Sequence, residues 1–291
     1  MQKGKLTKET INIQGLERSF LYYVPTSYDG NHALPLLLSF HGAGSSAEHH
    51  SRLTKFHELA ERENFFVIYP EATHVNESDP FSKRWNEGLK DNPAYIAKID
   101  DVSFVQALMS KWQNSYSVDK QRIYTTGFSN GSSFSFRLAI ECPNTFTAIA
   151  GVAGPLPKHL QSNIEAFPPL IFIMGDADPV VPFSAADAAG EKSFVISGLL
   201  GARECAEIVA YRSNHTKTER LSPLELQDPT RIEQTKYMGQ DETTLVTFYH
   251  VKGGGHTWPG GPKVQSPASN GKVSQQMDAS KVIWDTFKQW M

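Results

Sequence analysis

Cysteine is nearly absent from this sequence: Cys142 and Cys205 are the only two in 291 residues. One disulfide is arithmetically possible, but so few thiols read better as two unpaired, buried side chains than as a stapled scaffold. Long apolar runs are missing too. "LLL" at 36–38 and "LIFIM" at 170–174 are far too short to span a bilayer. The opening "MQKGKLTKETINIQGLERSF" lacks the continuous apolar core of a secretory leader, so the chain is expected to be intracellular, or secreted with its leader removed. The compartment stays open. Charge of one sign is lacking as well: 28 basic and 31 acidic residues give a net charge of −3 with no block of like charge, which sets nucleic acid and anionic membranes aside as partners. Neither a phosphate loop ending in Gly-Lys-Ser/Thr nor a G-x-G-x-x-G occurs, so no nucleotide cofactor is expected. His49, His50 and His57 do not make a metal set, because the first two are adjacent and point apart and no acidic partner completes them.

What remains is an ordinary globular composition, 40% hydrophobic and 20% charged, with enough chain for one large α/β domain. One domain over residues 1–291 is expected. Short β-branched and aromatic runs alternate with segments of helical period. "ETINIQGLERSFLYYVP" (9–25) reads as two strands joined at Gly15, and "LPLLLSFHG" (34–42) as a strand buried on both faces. A helix is expected over about 51–63, then the strand "FFVIYPEA" (65–72). Val102, Val105, Leu108, Met109 and Trp112 mark a helix near 101–115, and "RIYTTGF" is a strand running into Ser129. A helix from Ser132 to Ile140, strands at 146–154, 170–178 and 243–251, and a final helix over 278–290 capped by Asp278 complete the pattern. The alternation argues for a mostly parallel, twisted sheet covered on both faces by helices. Residues 155–169 leave too little chain for a helical lid domain. The polar stretch 72–98, with Trp85, is the candidate for shaping a substrate mouth, while 211–240 follows no clear pattern.

Within "TTGFSNGSSFSF" (125–136), only Ser129 has glycine at both i−2 and i+2. A strand turning directly into a helix is the setting that gives G-x-S-x-G chemical meaning, since the sharp turn strains the serine and lifts its hydroxyl clear of the sheet. A serine that merely caps the helix is the competing reading. An alcohol needs a base, and the base an orienting carboxylate, in the chain order Ser, Asp or Glu, His for this architecture. "GDADPVVP" supplies Asp178, favoured over Asp176, which reads as a turn aspartate. "GGGHTWPGG" supplies His256 in a loop after the last strand, favoured over His250 within that strand. Oxyanion donors would be the N–H of Asn130, just after the nucleophile, and that of Ala43 in the glycine-rich turn "HGAGSS". Trp85 in "RWNEG" and Trp258 in "HTWPG" lie in loops and suggest aromatic walls for substrate.

"HGAG", "RWNEG", "DDVSF", "GFSNG", "GDADPVVP" and "GGGHTWPGG", in this order, resemble the polyhydroxybutyrate depolymerase and feruloyl esterase family, a lidless branch of the α/β-hydrolases related to carbohydrate esterase family one. The resemblance runs from about residue 10 to the final helix. It implies an α/β-hydrolase fold with Ser129 as nucleophile, Asp178 as acid, His256 as base, Ala43 and Asn130 as oxyanion hole, and Trp85 and Trp258 near the substrate. Ser132 departs from the family, which often has glycine there. Depolymerases of solid polyester usually carry a binding module for which this chain has no room, so soluble substrates are favoured: feruloyl, acetyl or other short acyl esters of plant carbohydrates, or hydroxyalkanoate oligomers. The expected activity is a serine carboxylic-ester hydrolase needing no cofactor or metal. The rivals are a serine peptidase of prolyl-oligopeptidase type and a non-catalytic carbohydrate-binding relative.

Overall fold

A computed structural model describes residues 2–184, 186, 198–224, 228–262 and 270–290. Among these residues, ten strands join in one sheet. In chain order they are β1 Thr7–Ile13, β2 Leu16–Tyr23, β3 Leu34–Phe40, β4 Phe66–Pro70, β5 Val118–Phe128, β6 Ala148–Val152, β7 Leu170–Gly175, β8 Lys217–Leu224, β9 Arg231–Met238 and β10 Thr244–Lys252. The helices are α1 Ala47–Thr54, α2 Phe56–Glu63, α3 Pro93–Ile96, α4 Asp101–Ser115, α5 Asn130–Glu141, α6 Ala202–Arg212 and α7 Ala279–Phe287. The spatial order is β1-β2-β4-β3-β5-β6-β7-β10-β9-β8. The six central strands from β4 to β10 run parallel, and antiparallel pairs close both sides.

Strands β4, β6 and β7 are buried at every residue, as expected for strands covered on both faces. This is the α/β-hydrolase fold. The hairpin β1–β2 turns at Gln14 and Gly15, both at positive φ, as a tight two-residue connection requires. The chain passes from β3 outward to β4 on one side and then to β5 on the other. The reversal makes the C-terminal ends of β3 and β5 a topological switch point, where open parallel sheets bind ligands.

Several segments differ from the sequence-based expectation. The helix expected over 51–63 begins earlier and is two helices, α1 and α2, broken at Lys55 in the left-handed region (φ 51°). Helix α5 starts at Asn130, directly on the nucleophile candidate, because the turn is sharper than residue types alone reveal. The unpatterned stretch 211–240 supplies the end of α6 and the hairpin β8–β9. Its burial pattern is mixed, because it extends the sheet at an edge, and a half-exposed edge strand needs no apolar alternation. Between β6 and β7 lies only a six-residue 3-10 helix, Lys158–Asn163. Both cysteines are buried and free. Among the described residues, no helix is long and apolar enough to cross a membrane.

Candidate active site

Ser129 sits between β5 and α5 with φ 54° and ψ −122°, a conformation that L-residues rarely hold. The flanking glycines make it possible by close approach. A Cβ on Gly127 would stand 2.2 Å from the backbone of Gly131, and one on Gly131 would stand 2.4 Å from the Phe40 carbonyl of β3. Only a hydrogen at both positions lets helix, turn and strand meet. The Ser129 N–H donates to the Val152 carbonyl (2.8 Å) and holds the elbow against β6. The nucleophile candidate therefore faces the positive end of α5.

The loop after β7 carries Asp178, whose Oδ1 accepts the N–H groups of Val180 (2.7 Å) and Val181 (2.9 Å). Its Oδ2 accepts from His256 Nδ1 at 2.7 Å, and the other ring nitrogen, Nε2, lies 2.8 Å from Ser129 Oγ. With the proton on Nδ1 directed at the carboxylate, Nε2 presents a lone pair to the serine hydroxyl. The three side chains come from loops after β5, β7 and β10 and form one chain of hydrogen bonds. Ser129, Asp178 and His256 are 7%, 7% and 8% exposed, sheltered from bulk water yet reachable.

The rival residues also meet. Asp176 Oδ2 lies 2.9 Å from His250 Nε2, and its Oδ1 accepts the Gly253 N–H at 2.6 Å. This second Asp–His pair ties the Asp178 loop to the end of β10, from which the His256 loop departs. Sequence alone does not reveal this bracing, since its partners lie 74 positions apart.

The turn 41–44 follows β3 and lies against the elbow: a Cβ on Gly42 would stand 3.3 Å from Ser129 Cβ. Ala43 is partly exposed, and no acceptor pairs with its N–H among the described residues. Asn130, the first residue of α5, has no intrahelical acceptor for its N–H. Asn130 follows Ser129 directly, and Ala43 follows Gly42, which lies beside Ser129. The His41 ring fixes the turn from below. Its Nδ1–H donates to the Gly42 carbonyl (2.7 Å) while Nε2 accepts the Ala72 N–H (3.0 Å), a pattern only the neutral ring satisfies. Burial pushes its pKa down to about 4, against the pull of Glu71.

Trp85 and Trp258 are not open aromatic walls, a correction to the sequence reading. Trp85 is fully buried, stacked on Phe134 at 5.2 Å, with Nε1 donating to the His41 carbonyl (3.0 Å). Its backbone clamps the Asn130 amide twice, through Trp85 N–H to Oδ1 (2.7 Å) and Nδ2–H to the Trp85 carbonyl (3.0 Å). Trp258 is buried behind His256, edge-on to Phe128, with Nε1 donating to Ser280 Oγ (3.1 Å). An indole is large and apolar, so a loop position near the site draws it inward as support rather than outward as a wall. Behind Trp85, the Glu87 carboxyl accepts from Asn92 Nδ2, and burial raises its pKa to about 7. His50 pairs with Ser39 Oγ (2.9 Å), its pKa held well below the usual value by burial, while His57 lies beside Tyr69.

Comparison with known proteins bears on the family and the fold. NocK of Nocardia uniformis subsp. tsuyamanensis, whose name carries an esterase assignment, is 28% identical over 86% of this chain and 73% of its own. A protein of Aspergillus clavatus named as feruloyl esterase C is 24% identical over 72% of this chain and 79% of its own. The solved acetyl xylan esterase from Aspergillus awamori superposes with a TM-score of 0.60 over 86% of this chain and 94% of its own, at 15% identity, and so shares the fold. Residues 18–194 match the family described as Esterase PHB depolymerase. The chain belongs to that family and is a carboxylic-ester hydrolase with the α/β-hydrolase fold.

Proposed function

We propose that the chain is a single catalytic domain in which Ser129, His256 and Asp178 hydrolyse esters through an acyl-enzyme. His256 Nε2 takes the hydroxyl proton as Ser129 Oγ attacks the ester carbonyl. The new oxyanion is held by the N–H groups of Ala43 and Asn130. His256 then gives the proton to the leaving alcohol, and in the second half-reaction activates water to release the acid. Asp178 keeps the imidazole in the tautomer that leaves Nε2 free, and stabilises the imidazolium. The chemistry asks for no cofactor. The observation that carries this reading is the unbroken hydrogen-bonded line from Ser129 through His256 to Asp178, at 2.8 and 2.7 Å.

The substrates we propose are feruloyl, acetyl or other short acyl esters of plant carbohydrates, or soluble hydroxyalkanoate oligomers. The named activities of the feruloyl and acetyl xylan esterase relatives and of the family support this range. The test is turnover of methyl ferulate, p-nitrophenyl acetate, acetylated xylan and hydroxybutyrate trimer by wild type and Ser129→Ala. At least a roughly thousandfold loss in the variant is expected on whichever ester wild type prefers. A variant that matches wild type rejects Ser129 as nucleophile.

A further inference from the structure

The aromatic surface that Trp85 fails to provide is present a few residues earlier. Phe81 is 66% exposed, although it belongs to a rigid segment. It lies in the 3-10 helix Pro80–Ser82, capped by Asp79 Oδ1 accepting the Phe81 N–H at 2.9 Å. Ser82 Oγ donates to the Asn76 carbonyl (2.7 Å) and accepts the Asn76 N–H (3.0 Å), closing the loop on itself. The loop is then fastened to the turn 41–44: Gly44 N–H donates to the Lys83 carbonyl at 2.9 Å, and Lys83 pairs with Glu71, whose carboxylate also accepts the Ala47 N–H. The Phe81 ring rests on Gly44, where an added Cβ would stand 3.2 Å from Phe81 Cδ1.

A lone exposed phenylalanine is ordinary. This one differs in being held fast at the lip of the oxyanion turn. Gly42 touches Ser129, Gly44 touches Phe81, and the two glycines are two Cα steps apart, at most about 7.6 Å. The directions at the reacting carbon are also set. Its oxyanion faces Ala43 and Asn130, and its leaving oxygen must face His256 to receive a proton. The acyl carbon takes the remaining direction.

Building on the proposed triad, we infer that Phe81 forms an acyl-side subsite, a rigid ring on which an apolar or aromatic acyl group packs as its carbonyl enters the oxyanion turn. In this subsite an arylalkanoyl chain packs on the ring, while the single methyl of an acetyl group gains little from it. Alcohol groups, lying toward His256, do not meet it.

The test compares wild type, Phe81→Ala and Phe81→Leu on p-nitrophenyl acetate and p-nitrophenyl 3-phenylpropionate, which share an alcohol, and on ethyl acetate, which shares the acyl group of the first. Phe81→Ala is expected to lower kcat/KM on the phenylpropionate about fivefold to tenfold, mainly through KM, as loss of an aromatic contact does. Phe81→Leu should retain more of it, and both acetates should change less than about twofold. An equal fall on all three esters overturns the subsite, because the ring would then only support the oxyanion turn. An unchanged phenylpropionate-to-acetate ratio overturns it, and so does a change that follows the alcohol. Failure of the triad reading is seen separately, as retained turnover in Ser129→Ala whatever Phe81 does. Phe81 is solvent-exposed, so its truncation empties no core.

Discussion

His41 and Glu87 are two buried titratable groups that stand behind the proposed oxyanion donors and affect stability in opposite directions. His41 is needed neutral, since a second ring proton would remove the acceptor for the Ala72 N–H. Its folded pKa, about 4, lies below the ordinary 6.5. Its contribution is therefore present above pH 6.5 and is lost as pH falls toward 4. His41→Gln is expected to destabilise at pH 7, with the difference from wild type shrinking as pH falls; denaturant unfolding at several pH values checks this. Glu87 runs the other way, because burial lifts its carboxyl from 4.5 to about 7. Its contribution is present below pH 4.5 and is lost as pH rises through 7. Glu87→Gln should match wild type near pH 4.5 and be more stable at pH 8, by on the order of 3 kcal/mol. A stability difference independent of pH would contradict either assignment. Neither effect is visible in residue types, because desolvation is a property of the packed surroundings. "HGAG" and "RWNEG" mark the right neighbourhoods without revealing that His41 and Glu87 are enclosed.

At the scale of elements, the strand–turn–helix unit from β5 to α5 is where local sequence and fold agree most closely. G-x-S-x-G specifies the turn because each glycine sits where a methyl group would collide with backbone rather than with a side chain that can move aside. Gly131→Ala is accordingly expected to cost more than about 4 kcal/mol, measured as loss of soluble, cooperatively unfolding protein. A well-folded variant with near-normal melting would contradict that geometry. The same legibility holds for α4, whose span is Asp101–Ser115 as expected and whose buried face holds Val105, Leu108, Met109 and Trp112, with Phe104 in place of the half-buried Val102. It fails at α1–α2, where "SRLTKFHELAERE" carries helical period throughout and no glycine or proline signals the break at Lys55. It fails also for Trp85 and Trp258. A loop position says nothing of which way an indole turns, and here the Asn130 clamp and the Phe134 stack decide it.

Across the whole molecule, the candidate site forms because distant segments are brought to the switch point between β3 and β5. One buried ion pair links parts of that assembly. Arg18 of β2 donates to Asp101 Oδ1 at the start of α4 (2.7 Å), while Asp101 Oδ2 accepts the Asn86 N–H beside Trp85 (2.7 Å). The first hairpin, α4 and the Trp85 loop are thus fastened at one point, with Arg18 lying 4.0 Å above the Phe104 ring. Arg18→Ala strands a buried carboxylate and should cost about 3–5 kcal/mol, visible as a lower denaturation midpoint. Pairings of this range, 83 residues apart, leave no mark in either local stretch. That is why the parallel strands were readable from sequence, and Ser129, Asp178 and His256 could be picked out as candidates that the fold brings within hydrogen-bond reach, while the β8–β9 edge and the ties behind the site were not. The central claim, that Ser129 is the nucleophile of this esterase, is tested most directly by a fluorophosphonate probe. Labelling would be followed together with p-nitrophenyl acetate hydrolysis, and the modified peptide located by mass spectrometry. The expected result is one label per chain, on Ser129, with activity lost in proportion. Labelling of a different serine in step with activity loss, or full activity in protein labelled at Ser129, would contradict it.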